Sequence, residues 1–144
     1  MIAVDTNILV YAHRRDAEWH VQADRAIRGL AEGVDPWGVP WPCVHEFLAI
    51  TTHPRIFRTP TPVDAALGQV DAWLESPSLV MLGERENYWQ TLRGQVATGR
   101  VDGPRVHDAR VAALCVSHGV RELWTADRDF SRIVALKVRN PLVA

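Results

Sequence analysis

The sequence predicts an α/β domain, a three-layer arrangement in which a short, mainly parallel central sheet carries helices on both faces. Three observations predict it. Short apolar runs alternate with longer stretches of helical periodicity, and no Asn-Gly hairpin turn joins the runs. Val106 to His118 is apolar nearly all round, as a helix covered on most sides would be. Two acids, Asp5 and Asp127, each fall just after a short apolar run, where a strand of an open α/β sheet presents its carboxyl end to ligands.

Ile2 to Val4 read as the first strand and Ile8 to His13 as the start of a helix, with Asp5 at the handover. Asp16 suits a helix N-cap, and Trp19, Ala23, Ala26, Ile27 and Leu30 supply the stripe of the helix that Gly33 ends. Trp37 and Val39 mark a second strand. Pro42 then suits the first turn of a helix over Cys43 to Thr52, in which Glu46 shares the side of Cys43 and Ile50. His53 to Pro62 is a loop with three prolines, two arginines and Phe57. Thr61-Pro62-Val63-Asp64 is close to a capping box, followed by a helix carrying Val63, Ala66, Leu67, Val70 and Leu74. Leu79 to Leu82 is a third strand, Glu84 to Ala97 a helix closed by Gly99, and 99–105 a turn. After the apolar helix, in whose first turn Asp108 sits, Leu123 to Thr125 form a fourth strand. Phe130 to Val134 read as one more helical turn, and Leu136 to Val138 as a last short strand.

At 144 residues, 47% hydrophobic and 23% charged, the chain is expected to fold as one domain over 1–144. Its net charge of −1 gives no global basic excess of the kind nucleic-acid binders carry, but the cations are lopsided: fifteen arginines and only Lys137. Arginine's planar fork suits phosphate, and a GC-rich genome also explains the bias. Cys43 and Cys115 are too few for a disulfide framework, residues 1–13 lack the basic start of a signal peptide, and no apolar run reaches a membrane span. A reduced, cytoplasmic setting is expected.

Asp5 is an acid among apolar neighbours, and burying an unpaired charge is costly. If the first and fourth strands are neighbours where strand order reverses, Asp5 and Asp127 face one crevice, with the helices bearing Glu46 and Asp108 beside it. Four carboxylates there would raise one another's pKa unless cations hold them ionised. Hard divalent ions do this: Mg²⁺, or Mn²⁺ on the same ligands. Such a site suits in-line hydrolysis of a phosphodiester. Taken singly, Asp108 and Asp127 also fit helix-start or turn acids, and Glu46 a solvated helix residue. The joint arrangement is the signal.

Val4-Asp5-Thr6-Asn7, His45-Glu46-Phe47, His107-Asp108-Ala109 and Thr125-Ala126-Asp127-Arg128-Asp129-Phe130, in this order, resemble the PIN domain. Within it they resemble the VapC toxins of bacterial toxin–antitoxin pairs, and the proline-rich loop resembles actinobacterial members. The resemblance covers essentially the whole chain. It implies a three-layer PIN-like fold and a Mg²⁺-dependent endoribonuclease acting on structured RNA, tRNA or rRNA. It further implies a homodimer and a VapB-type antitoxin whose C-terminal segment enters the active-site groove. Carried over by position, Asp5, Glu46, Asp108 and Asp127 are the catalytic acids, with Asp5 and Asp108 as direct metal ligands. Thr6 and Asn7 would orient Asp5 and a water, Thr125 would position the fourth acid, and Asp129 matches a less constant acid.

Arg14, Arg55, Arg58, Arg110 and Arg128 lie near ends or loops expected to face the site and suit RNA phosphates. Trp37, Trp41 or Phe57 would offer a face for stacking an unpaired base. Three other readings use the same residues. One is a metal-dependent nuclease or phosphohydrolase with a non-toxin role. Another is a metal-binding regulatory module without nuclease activity, which would need a paired acid at the first strand and a lysine after a late one. The third is a zinc protein using Cys43, His45, His107 and Cys115, whose spacings match no closed site.

Overall fold

The computed structural model describes residues 1–128, 130 and 136–143. Asp129 lies outside them, as does most of the helical turn expected over 130–134. The strands are β1 (Ile2–Val4), β2 (Trp37–Pro40), β3 (Leu79–Leu82), β4 (Glu122–Trp124) and β5 (Lys137–Arg139). They form one sheet in the order β3-β2-β1-β4-β5, and all four pairings are parallel. Parallel strands covered on both faces are apolar without alternation, which is why Ala3 and Val4 are both 0% exposed.

The helices are α1 (Thr6–His13), α2 (His20–Ala31), α3 (Trp41–Thr51), α4 (Val63–Leu74), α5 (Tyr88–Gly99) and α6 (Val106–Ser117). α1 packs on α2 and α3, and α3 on α4; α5 packs on α6, which lies against β2. The chain steps from β1 outward to β3 and then returns to the other side of β1. Right-handed crossovers therefore place α1–α4 on one face and α5 and α6 on the other. α6 is the buried helix its composition predicts: Ala109, Val111, Ala112, Ala113, Leu114 and Cys115 are all buried, and the alanines let its axis approach the sheet. Burying Leu114 alone contributes about 2 kcal/mol.

Two features of this scaffold set the site. The strand order reverses between β1 and β4, which pair in parallel in register Val4↔Trp124, and this opens a crevice at their carboxyl ends. The second feature is that α3 follows β2 without a loop. Pro40 ends the strand, where a missing N–H costs little, and also caps the helix, which has Pro42 in its first turn. The opening turns of α3 are thereby fixed above the sheet's edge.

Three local expectations about helix ends fail, the first two because a side chain expected to cap a helix is held elsewhere. Asp16 does not cap α2. It binds the Arg14 guanidinium at 2.9 and 2.6 Å, and α2 starts at His20, whose Nδ1 lies 2.9 Å from the Tyr11 carbonyl. Thr61 does not cap α4, because its hydroxyl meets His13 Nε2 at 3.1 Å and Arg14 at 3.3 Å. Gly99 does not close α5. It is the last helical residue, and Arg100 takes the left-handed cap with φ 49°.

Candidate metal centre and active-site cleft

Asp5 N–H donates to the Trp124 carbonyl at 2.9 Å and Thr125 N–H to the Arg139 carbonyl at 2.9 Å, so each sheet ladder runs one residue past its strand. Asp5 and Thr125 therefore end up side by side, and the Thr125 hydroxyl donates to Asp5 Oδ2 at 2.8 Å. Asp5 also caps α1: its Oδ1 accepts from the Thr6 amide at 2.8 Å, and the Cys43 thiol on α3 donates to the same oxygen at 3.5 Å.

Each residue after Asp5 grips a different element. The Thr6 hydroxyl donates to Glu46 Oε2 at 3.0 Å, tying α1 to α3. Asn7 reaches the segment after β4: its Nδ2 donates to Thr125 Oγ1 at 3.1 Å and its Oδ1 accepts from the Ala126 amide at 3.1 Å. Thr125 Oγ1 also accepts from the Asp127 amide at 3.0 Å, which fixes the backbone of the fourth acid. Asp5, Thr6, Asn7, Glu46, Thr125 and the Asp127 backbone are thus one hydrogen-bonded unit.

Glu46 departs from the sequence expectation. It is exposed on the rim of α3 rather than turned inward with buried Cys43. There it faces Asp108 across a cleft of about 530 Å³ between α3 and the start of α6. Asp5, 6% exposed, sits behind this cleft and connects to it through Thr6.

Burial drives the Asp5 pKa above its ordinary 3.8, opposed by the donors Thr125, Thr6 and Cys43 and reinforced by the charge of Glu46. Burial likewise pushes both thiols up, Cys43 well above its usual value. Neither is a reactive thiolate.

Among the described residues, Asp5 forms no ion pair with Arg, Lys or His. A buried carboxylate held only by neutral donors, beside a cleft holding two more carboxylates, has the charge deficit and the hard oxygen donors that suit Mg²⁺ or Mn²⁺. Among the described residues no three His, Cys, Asp or Glu side chains gather closely enough to hold an ion together. Mg²⁺ usually keeps several waters and takes one or two carboxylates, a donor set that Asp5 and the cleft acids can supply. The zinc alternative fails here. Cys43 and Cys115 are buried, whereas His45 and His107 are exposed.

The structure also sorts the expected RNA contacts. Arg14 is a loop clamp rather than a free phosphate contact. Its side chain is 11% exposed, binds Asp16, donates to the Thr59 carbonyl at 2.8 Å and lies 4.0 Å over the Phe57 ring. That covers one face of Phe57, which also packs against the core. Trp37 is 0% exposed, with its indole N–H 3.3 Å from Ser76 Oγ, and belongs to the core. Trp41, 40% exposed beside Gly83, keeps an open face. Arg55, Arg58 and Arg128 are exposed, and Arg110 lines the cleft. Sequence reasoning missed Cys43 as a donor to Asp5, since nothing in a separation of 38 residues signals it.

The PIN-domain family profile matches residues 2–136. Over 142 residues the chain is 34% identical to ribonuclease VapC43 of Mycobacterium tuberculosis, covering 99% of this chain and 96% of that protein. Among solved structures it is similar to VapBC2 from Rickettsia felis bound to a promoter DNA fragment, with a TM-score of 0.67 and 18% identity over 97% of this chain and 98% of that one. It is also similar to M. tuberculosis VapC20, a sarcin–ricin-loop-cleaving toxin, with a TM-score of 0.64 and 18% identity over 95% and 99%. The chain belongs to the PIN-domain family, and within it to the VapC ribonucleases. Its class is thereby that of a nuclease, a hydrolase.

Proposed function

We propose that the chain is the toxin of a VapBC-type pair, an endoribonuclease that hydrolyses phosphodiester bonds in structured RNA, tRNA or rRNA, with Mg²⁺ or Mn²⁺. The observation that carries this reading is the unit joining Asp5, Thr125, Thr6 and Glu46 at the β1/β4 seam, opening on a cleft shared with Asp108.

Asp5 and Asp108 are the proposed ligands of the ion, which when bound lowers the pKa of water and offsets charge on the phosphate. The chain's own residues do the positioning. Thr125 and the Thr6 amide hold the Asp5 carboxylate in one orientation. Thr6 holds Glu46 at the cleft rim, where its carboxylate orients the attacking water. Asn7 and Thr125 fix the backbone of Asp127, the fourth catalytic acid. Because water rather than the ribose 2′-hydroxyl attacks, the products carry no 2′,3′-cyclic phosphate.

A VapB-type antitoxin is the proposed partner, an arginine of its C-terminal segment pairing with Glu46 and Asp108 in the cleft. A homodimer is proposed as well. Val63, Leu67 and Leu74 leave an apolar stripe exposed on α4, which a second copy would cover. Among the described residues no helix is long and apolar enough to cross a membrane.

The test is to map RNA 5′ ends in bacterial cells after brief expression. One dominant new end in a tRNA or rRNA loop is expected, and it disappears on co-expression of the antitoxin gene from the same operon. Halted growth with uncut RNA would leave a binding role instead.

A further inference from the structure

The two walls of the cleft carry the same eight-residue pattern. On α3 it reads Pro42-Cys43-Val44-His45-Glu46-Phe47-Leu48-Ala49, and entering α6 it reads Pro104-Arg105-Val106-His107-Asp108-Ala109-Arg110-Val111. In both, a proline, a histidine, an acid and a small apolar residue recur at i, i+3, i+4 and i+7, which is one face of a helix. In both, those four residues line the cleft.

Packing does not demand the histidines. His45 and His107 are exposed, and among the described residues neither imidazole has a hydrogen-bond partner. The other four histidines, His13, His20, His53 and His118, each bond the protein.

The electrostatics of the cleft give these two a task. Ionised Glu46 and Asp108 only accept hydrogen bonds, and so does a phosphodiester. An RNA backbone entering between them needs donors. Among the lining side chains those are Arg110 and the two imidazoles, one on each wall. His45 and Glu46 of α3 and His107 and Asp108 of α6 lie in the amino-terminal halves of their helices, the end that favours an anion.

We propose that His45 and His107 are substrate-contacting residues that grip the RNA backbone from opposite walls, each donating an imidazole N–H to a phosphate oxygen beside the scissile bond. This rests on the nuclease reading above and extends it to residues outside the acidic set.

The test uses a fluorescein-labelled RNA stem–loop, its binding followed by anisotropy in EDTA so that cleavage plays no part. His45→Ala and His107→Ala are each expected to weaken binding about five- to tenfold, the scale of one lost hydrogen bond. The double variant should approach the product of the two, and His→Asn, which keeps an N–H donor, should recover most of the loss. With Mg²⁺ present, KM rises in the alanine variants while kcat stays within about threefold, as loss of uniform binding requires. The rise in melting temperature on adding Mg²⁺ is unchanged.

Wild-type affinity in either alanine variant overturns the proposal, as does a fall in kcat at constant KM. Loss of the Mg²⁺-induced rise overturns it too, by making the histidines metal ligands. Wild-type protein that binds the stem–loop but never cuts RNA removes the nuclease reading alone. Wild-type protein that does neither removes both.

Discussion

Thr125 and Asp5 are 120 residues apart in the chain, and the Thr125 hydroxyl donates to Asp5 Oδ2 at 2.8 Å because the parallel pairing of β1 and β4 sets them level. The same oxygen atom of Thr125 accepts from Asn7 and from the Asp127 amide, so its hydrogen-bonding capacity is filled. Thr125→Val, nearly isosteric, strips a buried carboxylate of one donor and two N–H groups of an acceptor. It should cost about 1–3 kcal/mol in urea unfolding and lower kcat, while Thr125→Ser stays close to wild type.

The raised pKa of Asp5 gives stability a definite pH dependence. The folded form resists ionisation, so the contribution of this group is fully present below pH 3.8 and is lost as pH rises through its folded pKa. Relative to Asp5→Asn, the metal-free wild type should lose about 1.4 kcal/mol per pH unit across that interval and then stay level. Thermal unfolding of both proteins in EDTA from pH 3.5 upward measures it. A wild-type-minus-variant difference independent of pH would contradict the burial of an unpaired charge.

Adding the ion should reverse that loss. At a Mg²⁺ concentration of about 100 Kd, a site present only in the folded state stabilises by about 2.7 kcal/mol. Differential scanning fluorimetry should show this rise for wild type, a reduced one for Asp108→Asn and none for Asp5→Asn. Equal rises in all three would place the ion elsewhere.

Arg14 makes a different prediction from the other arginines. Because it clamps Thr59, Thr61 and Phe57 rather than facing solvent, Arg14→Ala should destabilise the fold by about 1–2 kcal/mol through lost packing, cation–π and hydrogen-bond contacts. It should also speed proteolysis in the His53–Pro62 loop. RNA affinity and its salt dependence should not change. A salt slope reduced by about one, with stability intact, would return Arg14 to the phosphate contacts.

Much of this was legible in the residues, for physical reasons. β1 and the body of α6 were readable because burial leaves a nearly unbroken apolar run, and β4 was readable from Leu123 and Trp124 although it begins at Glu122. The β1/β4 adjacency was expected only on the condition that strand order reverses there, and the pairing of β1 with β4 meets that condition. Side-chain allegiance was not readable: Asp16 and Thr61 sit where caps belong, but Asp16 is held by its near neighbour Arg14 and Thr61 by His13, brought to it by tertiary packing. Glu46 followed the apolar face of α3 on paper and lies on its rim in space, since a helix face a few residues wide does not fix which edge a single residue takes. Trp37 and Phe57 are aromatic in either role, and only burial separates a core residue from a stacking surface.

On the proposed function, a divalent ion at Asp5 lets this chain hydrolyse RNA. The most direct measurement is cleavage of purified total bacterial RNA by the purified protein, wild type and Asp5→Asn, in Mg²⁺ and in excess EDTA, with circular dichroism confirming that the variant is folded. Discrete fragments in wild type with Mg²⁺, and a loss of at least about a hundredfold on removing either the ion or the carboxylate, are the expected result. Cleavage that persists in EDTA, or in folded Asp5→Asn, would contradict it.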